Sequence, residues 1–188
     1  MRKMILITVL MAGILSGLQQ TGSSIGQEKT GAAATTVPEG VIKVTITTGG
    51  GLYGPVKDQF KVGEDIPVAI SMTDTGDKPA KYCLSTSLFQ NRPQLKRDGQ
   101  LIPYFTIMPQ QTEQEDVIQR CERSAARQFQ ELQPKQTRVV DWFTISLKGI
   151  RWYSPLSPGH YELVLRRRLE CCQGPMVESN QVAFDVVP

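Results

Sequence analysis

The chain has one histidine, His160, among 188 residues. Any site that needs two imidazoles is therefore excluded, and a serine triad or a Cys-His dyad would have only this one base to use. The G-x-S-x-G nucleophile elbow is absent, and no two cysteines stand at the C-x-x-C spacing of a zinc site. Charge of one sign is also scarce. Lys+Arg 21 against Asp+Glu 18 leaves +3, too small a bias for a nucleic-acid binder. Long apolar runs are missing beyond the first eighteen residues, so no second membrane span is expected. What is present, 40% hydrophobic and 21% charged residues, is the composition of a folded globular protein.

Residues 1–18 read as an export signal. Arg2 and Lys3 precede an uncharged apolar run from Met4 to Leu18, shorter than the ~20 residues a spanning helix needs. Ser24 and Gly26 are small residues placed for cleavage after Gly26, which makes 1–26 a signal peptide. Without Arg2 and Lys3 the balance is 19 against 18, or +1, so the mature chain is nearly neutral and is expected in the periplasm or outside the cell. Residues 27–40 carry almost no bulky apolar side chain and form a flexible leader. A single domain over residues 41–188 follows.

Within that domain the apolar residues alternate. Val41–Thr47 and Asp65–Thr73 each place every second residue on one face, as half-buried strands do. Tyr82–Phe89 is a further strand, and Asp98-Gly99 is a hairpin signal between two more. Thr137–Leu147, Tyr161–Cys171 and Asn180–Val187 complete the series. In the second of these, Tyr161, Leu163, Leu165, Arg167, Leu169 and Cys171 share one face. Residues 113–131 break the pattern. Thr112 with Glu115 has capping-box spacing, and Val117, Cys121, Ala125 and Phe129 recur every four residues, which predicts an inserted helix with an Asp116–Arg120 pair.

Phe60–Ala80, Leu156–Leu165 and Glu178–Val187, with Leu156, Pro158, Gly159 and Tyr161 in an apolar-x-Pro-Gly-x-Tyr turn, resemble bacterial immunoglobulin-like or fibronectin-III-like domains. The resemblance implies an all-β, antiparallel sandwich of about seven strands. It makes Pro158, Gly159 and Tyr161 a structural corner. It says almost nothing of function, because the architecture hosts many.

The chemistry-bearing residues are few. Gly49 to Gly54 satisfies G-x-G-x-x-G, but Pro55 and the alternation after it predict a loop where a nucleotide site needs a helix. Cys83, Cys121, Cys171 and Cys172 in an exported chain are expected to form structural disulfides, in any of three pairings. A vicinal redox switch at the doublet, or a metal site with His160, is the weaker reading. The carboxylate pairs Glu64/Asp65, Glu115/Asp116 and Asp74/Asp77 are the material available to a hydrolase, and Asp74 with Asp77 to a calcium ion. Trp142, with Arg151, Trp152 and Tyr153, offers a binding face for sugar or peptide, against the competing role of core packing.

These readings predict no cofactor, no catalytic residue and no nucleic-acid partner. The expected function is that of a non-catalytic exported module binding a protein or glycan. A protease inhibitor presenting Leu52–Lys57 or Asn91–Tyr104 is the alternative, and a carboxylate hydrolase the third.

Overall fold

A computed structural model describes residues 41–50, 54–118, 128–145, 151–170 and 176–188. Residues 1–40, expected as signal and leader, and Arg120, Cys121, Cys171 and Cys172 lie outside the described residues. The architecture is all-β, an antiparallel sandwich of immunoglobulin-like type.

One layer is a three-stranded sheet of β1 (Ile42–Thr48), β3 (Pro67–Asp74) and β8 (Thr137–Thr144), in the order β1-β3-β8. The other has the order β2-β11-β9-β5-β6. It is built from β2 (Gln59–Lys61), β11 (Val182–Val187), β9 (Gly159–Arg168), β5 (Asn91–Arg97) and β6 (Gln100–Leu101). β10 (Met176–Glu178) pairs with β9, and β2 lies parallel to β11. β4 (Ala80–Leu84) and β7 (Gln128–Leu132) form a separate two-stranded sheet.

Alternation explains the layers. Val44, Ile46, Val68, Ile70 and Met72 point inward from the first sheet, and Leu95, Tyr161, Leu163, Leu165 and Phe184 from the second. Together they fill one core. At the Asp98-Gly99 hairpin both central residues have positive φ, as the tight two-residue turn requires. At the corner, Tyr161 Oη donates to the Ser157 carbonyl at 2.7 Å, and its ring stacks on Phe184. Gly159 leaves room there for the Arg97 guanidinium, which donates to Pro158 O and would have to shift to admit a Cβ.

Two edges are closed by side chains in place of strands. Asn180 accepts from Ile46 N–H at 2.8 Å and donates to Ile46 O, on the outer edge of β1. Beside β5, Tyr153 Oη accepts from Leu95 N–H at 3.0 Å and donates to Pro93 O at 2.8 Å.

The helical expectation needs correction at both ends. The helix α2 is Met108–Ile118, and Phe129 to Glu131 belong to the strand β7. Phe129, Gln130 and Glu131 pair with Cys83, Tyr82 and Lys81 of β4, so at this end long-range strand pairing prevails over the local helical spacing. Thr112 is inside the helix, donating to Pro109 O, and Glu115 accepts from Thr86. Asp116 pairs with Arg92 and Arg168. The strand expected over Tyr82–Phe89 stops at Leu84, and a short helix α1 (Ser87–Gln90) follows, capped by Thr86.

Candidate functional site

The outer face of the three-stranded sheet is the most ordered display of ligand-binding groups among the described residues. With Ile42, Val44 and Ile46 inward, β1 turns Lys43, Thr45 and Thr47 outward. β3 likewise turns Ala69, Ser71 and Thr73 outward. The register shift in β8, between Asp141 opposite Ile70 and Val139 opposite Ser71, is a bulge at Val140. It decides which β8 residues face which way. Trp142 lies across from Ala69 on the outer face, Asp141 and Phe143 turn inward, and Val139 and Thr137 align with Ser71 and Thr73.

The result is a set of rows running across the strands. Trp142 aligns with Ala69 and Thr47, Val139 with Ser71 and Thr45, and Thr137 with Thr73 and Lys43. Thr73 and Thr137 hydroxyls are 2.8 Å apart. Trp142 is 36% exposed. The face therefore combines an indole with five hydroxyls and a single cation. Such a surface can stack on an apolar ring face and exchange hydrogen bonds.

The other aromatic residues of the expected binding face are elsewhere. Trp152 is 0% and Tyr153 1% exposed. Both are core, packed against Tyr104, with Phe143 edge-on to Trp152. Arg151 lies 4.4 Å over the Phe105 ring. Of the four residues expected on that face, only Trp142 stands on the outer sheet surface. Aromatic spacing alone could not separate them, because residues 151–153 are an isolated β-bridge followed by a bend and not an alternating strand.

Polar groups are also gathered between the layers. Arg167, 0% exposed, donates to Asn91 at 2.6 Å, Asp141 at 2.9 Å and Gln90 at 3.1 Å. Burial draws its guanidinium below the ordinary value, and Asp141 opposes that shift. Arg168 and Arg92 share Asp116 and hold the carbonyls of α1. Each of these side chains is engaged, although Nε of Arg167 and of Arg168 finds no acceptor, and the cluster ties α1, α2, β8 and β9 together.

The remaining candidates separate. Gly49, with φ of 73° and a would-be Cβ 2.5 Å from Pro55 O, packs against a loop, and the next described element is the strand β2. Asp74 accepts from Gly76 N–H, and Asp77 lies 3.4 Å from Lys135, so the two do not face a common centre. Glu64 pairs with Lys57, which holds its carboxyl below the usual range. The segment Asn91–Arg97, expected as an inhibitory loop, is a strand paired along its length with β9. Cys83 is buried in β4, and among the described residues no cysteine is free. No described helix is long and apolar enough to cross a membrane.

His160 stands at the sandwich end, its Nδ1 2.7 Å from Asp185. That hydrogen bond, with Asp185, Glu162 and Asp98 nearby, raises its pKa above 6.5. A raised folded pKa means that the contribution to stability is complete below the unfolded value and fades as pH rises through the folded one. With one histidine in the chain, the ring resonance in NMR is unambiguous. Its midpoint is expected above 6.5, and Asp185→Asn should bring it down; an unmoved midpoint would show that the pair does not form.

No family model and no curated protein matches the chain. Among solved structures it is similar to the CARDB domain of the PF1109 protein from Pyrococcus furiosus, whose crystal structure is a complex with di-metal ions. The identity is 12%, over 78% of this chain and 92% of that one, with a TM-score of 0.34. The solution NMR structure of the same domain gives 12% identity, 78% and 94% coverage, and a TM-score of 0.34. Likeness at this level bears on neither ligand nor mechanism.

Proposed function

We propose that the protein is an exported, non-catalytic immunoglobulin-like module that binds a neutral glycan on the outer face of its three-stranded sheet. The observation that carries this reading is the single exposed indole, Trp142, set at one end of a flat field of Thr and Ser hydroxyls. An aromatic plane takes the C–H face of a sugar ring, while hydroxyls at strand spacing exchange hydrogen bonds with its polar rim. Lys43 is the only charged group on the rows, and the mature chain is near neutrality, so a polyanion is the less suitable ligand.

The test is binding of the mature protein to a glycan array and to insoluble polysaccharides. Trp142→Ala is expected to weaken binding at least about tenfold, the loss of one stacked aromatic, with the far-UV circular dichroism unchanged. Retained binding would refute the face, and reproducible hydrolysis of a bound glycan would refute the non-catalytic reading.

Export is supported by the cysteines as well as by the signal-like first segment. Cys83 N–H donates to Leu169 O at 2.8 Å. That contact leaves Cys83 two residues of chain from the Cys171-Cys172 doublet, whereas Cys121 precedes Phe129, the residue paired with Cys83, by eight. The pairing expected is therefore Cys83 with one member of the doublet. Non-reducing peptide mapping of protein recovered from the periplasm or medium should return that linkage; a Cys83–Cys121 peptide would overturn it.

A further inference from the structure

The backbone beneath the exposed indole is held by the residue before it. Asp141 follows the bulge of β8, the last strand in the order β1-β3-β8, and its side chain turns into the sandwich while that of Trp142 turns out. The two oxygens of its carboxylate have different partners. Oδ1 accepts from the Trp142 backbone N–H at 2.8 Å. Oδ2 accepts from Arg167 Nη1 at 2.9 Å and from Asn91 Nδ2 at 2.9 Å. One carboxylate thus joins the main chain of Trp142 to a guanidinium that is fully out of solvent.

Arg167 is in turn fixed from the opposite sheet, where it stands on β9. Its Nη2 donates to Gln90 Oε1 at 3.1 Å, and Nη1 donates also to Asn91 Oδ1 at 2.6 Å. Gln90 is itself tied to the main chain, accepting from Ser85 N–H and donating to Cys83 O. Planar groups held in this way pass a single arrangement from one to the next. Fixing the Asp141 carboxylate fixes the Trp142 N–H and with it the peptide plane between the two residues. The backbone dihedrals beside that plane select the side-chain rotamer. A bulge is where such a brace is needed, because the ladder with β3 is interrupted there.

We propose that Arg167 is a positioning residue for the outer face: acting through Asp141, it holds the Trp142 backbone so that the indole meets a ligand already in its bound orientation. For the ligand this rests on the glycan reading given above, whereas the geometry of Trp142 is measurable without one. An indole free to change rotamer must be ordered at each binding event, which lowers affinity; one braced from the core is already ordered. The buried charge then has a use beyond packing, since an apolar side chain of similar volume fills the same space.

Amide hydrogen exchange followed by NMR, together with acrylamide quenching, tests this. The chain has two tryptophans, of which Trp152 is 0% and Trp142 36% exposed, so the quenchable emission belongs to Trp142. Arg167→Met is expected to speed exchange of the Trp142 N–H at least about tenfold relative to the amides of β3, the loss of one hydrogen bond to a charged group. Quenching should increase. Binding to cellulose, xylan, mannan or chitin, whichever the wild-type protein retains, should weaken about twofold to tenfold, the ordering cost of one side chain. Arg167→Lys is the second variant. Its ammonium can face Asp141 but lacks the planar fork that also engages Asn91 and Gln90, so it should fall between wild type and Arg167→Met in every measurement. Tyr161→Phe, which removes the hydroxyl bonded to Ser157 O at the corner, is the control for general loosening.

Trp142 exchange that keeps pace with the β3 amides in Arg167→Met, or quenching as in the wild type, would overturn the positioning role. The same changes in Tyr161→Phe would overturn it too. If Arg167→Met does not fold, Arg167→Lys decides by the same two measurements. Failure of the wild-type protein to bind any of these polysaccharides would overturn the glycan reading alone, because exchange and quenching are read without a ligand.

Discussion

Asp141→Ala is expected to destabilise the domain by about 3–5 kcal/mol, because it leaves a buried guanidinium without its counter-charge. Arg167 reaches Asp141 from the inward face of β9, across the core from β8, and is fully out of solvent. In a domain of this size that loss corresponds to roughly 6–20 °C in Tm. The effect should be asymmetric. Asp141 keeps 22% of its side chain exposed, so Arg167→Met leaves a carboxylate that water can reach and a side chain of comparable length in the core. We expect the cost of Arg167→Met to be well under half that of Asp141→Ala. Thermal and urea unfolding of both single variants and the double variant measure the coupling directly. Equal costs for the two single variants would show that the pair contributes as packing and not as charge.

The second large effect is at Tyr153. Tyr153→Ala removes a core aromatic and is expected to cost about 3–5 kcal/mol. Tyr153→Phe keeps the ring and isolates the hydroxyl. Leu95 N–H then loses its acceptor in the interior, at about 1–3 kcal/mol. The phenol is suited to this place, because burial holds its pKa far above the ordinary tyrosine value and the group stays protonated as a donor to Pro93 O. Tyr104 supplies an internal control. Its hydroxyl donates to the same Pro93 carbonyl at 2.8 Å but accepts from no backbone N–H. Tyr104→Phe should therefore cost less than Tyr153→Phe, since Pro93 O keeps one donor. If chemical denaturation reversed that order, the bond to Leu95 would not be the stabilising contact.

Much of the sandwich is legible in period-2 alternation. The inward set Tyr161, Leu163, Leu165, Arg167 and Leu169 is buried as its spacing demands, the charged member included. The Asp98-Gly99 turn is equally readable, since its backbone conformation is local. Three features are not. The β4–β7 pairing is long-range, and nothing in the spacing of residues 117–129 distinguishes a helix face from a helix followed by a strand. The bulge at Val140 is a one-residue shift that only the partner strand can show, yet it sets the direction of both Trp142 and Asp141. The partition of Trp142 from Trp152 depends on where strands end, the least predictable property of a sequence. The candidate site was thus half visible. Its aromatic residue could be named, but the hydroxyl rows require the register.

The clasp of Asn180 on Ile46 has a consequence for the behaviour of many copies together. An unoccupied strand edge is a template on which identical chains can add, layer upon layer, into fibrils. The amide of Asn180 offers an acceptor and a donor in the place where a neighbouring molecule's backbone would dock. One side chain thereby blocks part of that edge in a protein whose ligand, on the reading given above, is itself a repeating polymer that would crowd many copies onto a single surface.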